Sequence, residues 1–209
     1  MKLVFATTNK GKLEELQALV KGLPVEVLSL REVEALEVEE DAETFEENAA
    51  KKARAYLERT GFAALGDDTG LCVDALGGAP GVRSARYGGY EGADPALGEA
   101  AERYRLNNER LLRELAGVPA ERRGAEFRTA LCLLVPGEEP VIVRGVVRGR
   151  ILEERRGEHG FGYDPLFEVP ELGQTLAELK PEEKNRISHR ARAFAALRPH
   201  LERLARERG

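Results

Sequence analysis

The sequence has little cysteine, methionine, asparagine or glutamine, and several other features are missing altogether. Its only cysteines, Cys72 and Cys132, lie in apolar strand-like runs with no partner at metal-ligand spacing, so they read as buried packing residues rather than ligands or nucleophiles. No apolar run approaches the roughly 20 residues that cross a bilayer, and the chain does not open on the basic start and apolar stretch of a secretory signal. A soluble, cytoplasmic protein with no membrane partner is expected. No G-x-S-x-G pattern occurs, which leaves covalent acyl transfer without its nucleophile, and no G-x-x-x-x-G-K-[ST] loop occurs either. An excess of positive charge is also absent. The 32 Lys and Arg face 37 Asp and Glu, a net charge of −5. That balance argues against a nucleic-acid partner, because non-specific binding depends on neutralising many phosphates. A phosphate ligand would have to be held locally.

What is present is a chain of 209 residues with 42% apolar residues, enough for a substantial core, and we expect a single domain over 1–209, with room for two lobes. Charged residues reach 33% and arginine greatly outnumbers lysine, a mixture compatible with heat adaptation and silent about function.

Lys2 to Ala6 reads as a strand, and Leu13, Leu16 and Val20 fall at helical spacing after it. The polar turn Thr7-Thr8-Asn9-Lys10-Gly11-Lys12 therefore sits at a helix N-terminus. A second strand is expected at Val25–Leu28, followed by the acidic stretch from Glu37 to Glu43. Thr44 with Glu47 three residues on forms a capping box, opening a helix to about Arg59. Phe62–Leu65 reads as a buried strand ending at Gly66-Asp67-Asp68-Thr69-Gly70, with a possible continuation over Leu71–Ala75. Gly77-Gly78-Ala79-Pro80-Gly81 is a turn-rich loop. A helix is expected over Pro95–Leu115, then strands Phe127–Val135 and Val141–Ile151 joined as a hairpin through Pro136–Pro140. The second of these carries Arg144, Arg148 and Arg150 on one face. A glycine-rich loop, His159 to Pro165, precedes a closing helix from about Pro181, striped by Ile187, Ala191, Phe194, Leu197, Leu201 and Leu204. Crossover and hairpin strands mixed with helices indicate an α/β fold around a mixed sheet.

Several segments carry chemistry. Thr7 to Lys12 offers backbone N–H groups at a helix start, two hydroxyls, an amide and two lysines, equipment for a phosphate cradle. An ordinary capped turn with solvated lysines is the bland alternative. Asp67 and Asp68 at a strand end suit Mg²⁺, which takes one or two carboxylates and fills its other positions with water and substrate phosphate, or else form a local turn. Glu39 or Glu40 can add a carboxylate. Asn48 and Lys52 lie four apart and share a helix face, where Lys52 either reaches phosphate or stays solvated. Gly160-Phe161-Gly162-Tyr163-Asp164 combines backbone freedom, two rings and an acid, suited to stacking a base or to a structural turn. Lys184, Ser188, His189 and Arg190 occur together where the last helix begins or is joined.

Order and spacing say more than any one segment. Ala6-Thr7-Thr8-Asn9-Lys10-Gly11-Lys12, Thr44-Phe45-Glu46-Glu47-Asn48-Ala49, Asp67-Asp68-Thr69-Gly70-Leu71, Leu76-Gly77-Gly78-Ala79-Pro80-Gly81 with Ser84-Ala85-Arg86-Tyr87, Gly160-Phe161-Gly162-Tyr163-Asp164-Pro165 and Ile187-Ser188-His189-Arg190 together closely resemble the inosine triphosphate pyrophosphatase family over nearly the whole chain. Two positions vary: Thr8 stands where Gly is frequent, and Thr69 where Ser is frequent. The resemblance implies hydrolysis of inosine and xanthosine triphosphates and their deoxy forms, Mg²⁺ as cofactor and a homodimer. It also implies a long mixed sheet with flanking helices, in two lobes around a central nucleotide-binding cleft. By motif position, Thr7 through Lys12 would hold triphosphate, Asp68 would be proton acceptor and metal ligand, and Lys52 would touch phosphate. Thr69, Phe161, Gly162, Tyr163, Asp164, Lys184, His189 and Arg190 would contact the nucleotide, with Arg190 donating to a 6-oxygen. Glu39, by its distance from Phe45, is favoured over Glu40 as the second metal ligand. The competing expectations are a pyrophosphatase for modified pyrimidines, opposed by the Phe161 and Ser188 segments, and a non-catalytic nucleotide-binding module, opposed by the carboxylates.

Overall fold

The structure is a computed structural model that describes residues 1–28, 33, 35–89 and 97–207. Its strands are β1 (Lys2–Ala6), β2 (Glu26–Leu28), β3 (Ala63–Val73), β4 (Gly124–Leu134), β5 (Val141–Ile151), β6 (Phe167–Val169) and β7 (Gln174–Thr175). The helices are α1 (Lys10–Val20), α2 (Phe45–Thr60), α3 (Leu97–Glu114), α4 (Pro181–Ile187) and α5 (His189–Glu207). The strands form one seven-stranded sheet in the order β2-β1-β3-β4-β5-β6-β7. Pairing is parallel between β1 and both β2 and β3, and antiparallel from β5 to β6 to β7, so the sheet is mixed, as expected. Among the described residues no helix is long and apolar enough to cross a membrane.

The chain divides into two compact units. The first comprises Met1–Asp68, Thr129–Gly145 and Ser188–Gly209, and the second Thr69–Arg128 and Val146–Ile187. In the first, strand alternation separates two apolar layers. Leu3, Phe5 and Leu65 pack with Leu16 of α1 and Phe194, Leu197 and Leu201 of α5. Val4, Ala6 and Ala64 pack with Ala49, Ala53 and Tyr56 of α2. The second unit is built on Leu71, Val73, Leu111, Leu115, Phe127, Val147, Ile151 and Phe167.

Local signals explain the element ends. Asn9 caps α1, its Oδ1 accepting the Lys12 N–H at 3.1 Å. At α2 the Thr44 hydroxyl accepts the Glu47 N–H at 3.2 Å and donates to the Glu47 carboxylate at 2.8 Å, a variant of the expected box in which both contacts use the same hydroxyl. Pro95, the expected start of the third helix, lies outside the described residues.

Besides β4, which opens at Gly124 rather than Phe127, two boundaries differ from the sequence expectation. β3 does not end before the acids. It runs unbroken from Ala63 to Val73, with Asp67 and Asp68 in its middle, because cations from helices on either side neutralise them and the ladder need not open to water. The closing helix is broken at Ser188, whose Oγ accepts the Ala191 N–H at 3.1 Å and caps α5.

The approach of α2 to β3 is set by Gly66. A Cβ there would lie 2.0 Å from the Ala49 carbonyl oxygen and 2.9 Å from its carbon, both backbone atoms that cannot swing aside. Gly66→Ala is expected to cost about 3 kcal/mol, at the upper end of overpacking effects, as a fall in the urea midpoint with unchanged slope. An unchanged midpoint would show that α2 can move away freely.

Candidate functional site

Neighbouring residues of a strand face opposite ways, and β3 uses this to give each acid its own surroundings. Asp67 faces α1 and α5. The Arg190 guanidinium donates to it through Nε at 2.6 Å and Nη2 at 3.4 Å, and the Lys12 ammonium lies 2.6 Å from Oδ1. The same ammonium donates to the Asp67 carbonyl at 3.3 Å, while Arg190 Nη1 donates to Glu15. Burial pushes the Asp67 carboxyl up, but the Arg190 and Lys12 charges outweigh it and hold it far below the usual carboxylate range.

Asp68 faces α2. Asn48 Nδ2 donates to its Oδ2 at 3.1 Å, and Lys52 Nζ lies 3.5 Å from Oδ1 and 2.7 Å from a Glu40 oxygen. One ammonium thus joins two carboxylates. Burial, opposed by Lys52 and Lys12 and reinforced by Glu40, pushes the Asp68 carboxyl up to about 6. Glu40 moves the other way, since burial raises it but Lys52 and Lys12 lower it more. Lys52 stays firmly charged, Asp68 and Glu40 outweighing its burial. The attraction between Lys52 and Asp68 is mutual; Asp68 ends high because it also carries its own desolvation and the repulsion of Glu40.

The acidic stretch is tied down by the same helix. Asn48 Oδ1 accepts the Ala42 N–H at 3.0 Å, the Tyr56 hydroxyl accepts the Leu36 N–H at 2.9 Å, and Lys51 pairs with Asp41. This fixes Glu40 against Lys52. Glu39, the ligand favoured from sequence distance, is exposed and adds to the field at Lys51. The structure therefore brings Glu40, not Glu39, to Asp68, a one-residue difference that spacing in an irregular acidic run cannot resolve.

The turn before α1 is orderly. Thr7 Oγ1 accepts the Asn9 N–H at 3.2 Å. Thr8 and Lys10 are exposed, Thr7, Asn9, Gly11 and Lys12 half-buried, and Lys10 pairs with Glu14 at 3.6 Å. His189 and Arg190 open α5 and are sealed, at 3% and 0% exposure. Arg190 was expected to reach a base oxygen. In the structure its guanidinium is paired with Asp67 and Glu15. Glu15 was not anticipated; its signal was an acid beside Leu16 on the buried side of α1.

In the second unit Asp164 Oδ2 accepts the Phe161 N–H at 2.9 Å and the Lys184 ammonium at 2.6 Å. Lys184 Nζ sits 4.8 Å from the Phe161 ring centre, and Tyr104 of α3 lies 6.2 Å from it at a 39° tilt. Asn108 Nδ2 donates to the Gly162 carbonyl at 2.9 Å, a support that sequence reading missed. Phe161, Gly162 and Thr69 are half-buried. Tyr163 was expected to face the nucleotide, yet it is 4% exposed with its hydroxyl bound to the Ser84 carbonyl at 2.8 Å, which makes it a structural ring.

Among the described residues no three His, Cys, Asp or Glu side chains gather as a metal cage. Two hard carboxylates do meet at Lys52, the number that Mg²⁺ commonly takes from protein. The donor set fits that ion.

Because the Asp68 carboxyl titrates higher in the folded chain than its ordinary 3.8, the folded state holds that proton more tightly. The resulting stability is present below about pH 4 and lost as pH rises through about 6. At about 1.4 kcal/mol per tenfold change in proton affinity, the loss is roughly 2–3 kcal/mol. Asp68→Asn should therefore melt higher than the unaltered protein in metal-free buffer at pH 8 and match it near pH 4. Equal melting at both pH values would mean that burial does not strain Asp68.

Comparison with known proteins identifies the family. The model of the Ham1 family matches residues 3–200. A dITP/XTP pyrophosphatase of Anaeromyxobacter sp. (strain Fw109-5) is 54% identical over 99% of each chain, and one of Geobacter sulfurreducens is 51% identical over 96% of each. Among solved structures, a HAM1 protein from Coxiella burnetii superposes with a TM-score of 0.82 at 40% identity, covering 97% of this chain and 99% of that one. The Staphylococcus aureus Ham1 protein gives 0.81 at 35% identity, covering 97% and 98%. With a family model spanning nearly the whole chain and relatives at half identity over their full length, the chain belongs to the Ham1 family.

Proposed function

We propose that this chain hydrolyses non-canonical purine nucleoside triphosphates, ITP, dITP, XTP and dXTP, to monophosphate and pyrophosphate, removing them from the pool from which DNA and RNA are made. The observation that carries the reading is the pair of oppositely treated acids on β3, set beside a lysine-bearing helix start. The names of the Anaeromyxobacter and Geobacter relatives support the substrate class. The homodimer rests on the motif resemblance alone.

Asp68 acts as general base on the water that attacks the α-phosphorus. A carboxyl raised toward 6 takes that proton near neutral pH better than an ordinary one. Asn48 and Lys52 hold its two oxygens in place. Lys12, with the N–H groups and hydroxyls of Thr7 to Gly11, holds phosphate oxygens and stabilises pyrophosphate as it leaves. Asp68 and Glu40 would hold Mg²⁺, which supplies charge neutralisation on the phosphates.

The base stacks on Phe161, and stacking accepts any purine. Discrimination needs polar groups that pair with a 6-keto edge and are left unpaired by adenine, a device worth roughly 10⁴-fold. We assign this to Lys184, Asp164 and the Gly160–Gly162 backbone beside the Phe161 ring.

Two outcomes are expected. ITP and XTP should release pyrophosphate rapidly with Mg²⁺ and not with a chelator, ATP and GTP should be poor, and Asp68→Asn should lose at least about 100-fold in kcat. Orthophosphate as product, or wild-type turnover by Asp68→Asn, would refute the assigned chemistry. Second, Glu40→Gln should raise the Mg²⁺ concentration for half-maximal rate by about 10-fold or more while Glu39→Gln leaves it unchanged; the reverse pattern would return the ligand to Glu39.

A further inference from the structure

We propose that Tyr104 of α3 is a positioning residue for the stacking ring: with Asn108 one helical turn on, it holds Phe161 in the attitude in which a purine meets it. The inference rests on the reading of Phe161 as the ring under the base. Phe161 stands between two glycines in the left-handed region, Gly160 at φ 74° and Gly162 at φ 63°. Backbone of that kind suits many conformations, so the place of the ring is set by the side chains that hold it. Asp164 Oδ2 accepts the Phe161 N–H at 2.9 Å from within the loop, and the Lys184 ammonium of α4 lies 4.8 Å from the ring centre. The remaining holds come from α3. Asn108 Nδ2 donates to the Gly162 carbonyl at 2.9 Å, and the Tyr104 ring centre lies 6.2 Å from that of Phe161, inside the range over which aromatic pairs attract.

Positions 104 and 108 share a helix face, and that face continues the stripe by which Leu111 and Leu115 enter the core of the second unit. The end of a core stripe thus reaches the loop. The same Asn108 Nδ2 donates to the Tyr104 carbonyl at 2.6 Å, so one amide joins the backbone of the helix to the backbone of the loop beside the two rings. Each ring also has its own cation, since the Arg103 guanidinium lies 5.5 Å from the Tyr104 ring centre. Packing alone is a poor reason for a tyrosine at this place. Leu111 and Leu115 are fully buried whereas Tyr104 is half-buried, and a leucine would finish the stripe as well. What an aliphatic side chain lacks is a flat, quadrupolar face that fixes the inclination of a second ring, here 39°. An unbraced phenylalanine would be ordered only as the base arrives, and ordering one side chain at the moment of binding weakens affinity several-fold.

Two inhibitors separate base from phosphates in Mg²⁺-dependent ITP hydrolysis by the 209-residue chain: inosine monophosphate, which carries the base, and inorganic tripolyphosphate, which has none. Tyr104→Leu should raise the inhibition constant of inosine monophosphate about 5-fold, the scale of one aromatic pair, and leave that of tripolyphosphate where it was. KM for ITP and XTP should rise together with kcat little changed, and Tyr104→Phe, which keeps the ring, should restore the original values. An unchanged constant for inosine monophosphate would overturn the inference. So would an equal rise for both inhibitors, which marks general damage to the fold, or a failure of Tyr104→Phe to restore binding, which assigns the effect to the hydroxyl. In a Phe161→Ala background the Tyr104→Leu effect should vanish, because a residue that acts through another then has nothing to act on; persistence in full would make Tyr104 a base contact and overturn its positioning role. If Phe161→Ala alone binds inosine monophosphate normally, the stacking reading falls, a failure distinguishable because it appears in that single variant. Should Tyr104→Leu not fold, Tyr104→Gln, a strong helix former suited to a half-buried position, carries the same expectation.

Discussion

Two adjacent carboxylates buried in the middle of one strand are the constraint to which the first unit answers. An isolated charge in a protein interior is so costly that the group either neutralises or finds partners. Adjacent strand residues face opposite layers, so the two acids take their hydrogen bonds from different helices. Asp67 is answered in full, by a forked guanidinium and an ammonium. Asp68 meets an amide and a lysine that it shares with Glu40, whose own charge raises it. From the same residue type the fold thus makes a permanently ionised anchor and a carboxyl held near 6.

Delivering those cations requires close backbone approaches. α2 can bring Asn48 and Lys52 to β3 only because Gly66 leaves room for the Ala49 carbonyl. α5 can bring Arg190 down only because Gly145 leaves room for the His189 carbonyl, where a Cβ would stand 1.9 Å away. Ser188 ends one helix and starts the next just before Arg190, so that α5 starts in the register which points the guanidinium inward. Packing of small residues, helix capping and electrostatics are here one device.

Much of this was legible in the sequence. β1, α1, α2, β4 and β5 follow from apolar periodicity and from caps such as Asn9 and Thr44, signals that are local and strong. β3 was misjudged because glycine, two acids and a threonine in a row carry every local mark of a turn; only the cations of α1, α2 and α5, distant in sequence, keep it a strand. β6 and β7, at three and two residues, are too short to show a period at all. For the candidate site, the motifs named residues and left their facing open. Asn48 and Lys52 were correctly placed on one face, whereas Glu39 against Glu40, and the inward turn of Arg190 and Tyr163, depend on tertiary contacts that no local pattern encodes.

The second unit applies the same chemistry to a different end. Its buried pair, Lys184 with Asp164, is nearly as sealed as Arg190 with Asp67, yet what it organises is a glycine-rich loop. Asp164 takes the Phe161 N–H, Lys184 lies against the ring, and Asn108 holds the Gly162 carbonyl. Ordering a loop costs about 1–2 kcal/mol per residue. Folding has already met that cost for Gly160–Asp164, so under the proposed function a purine would meet a ring fixed in place, and differences between bases would arise at the polar edge, where an unmatched donor or acceptor is penalised in full.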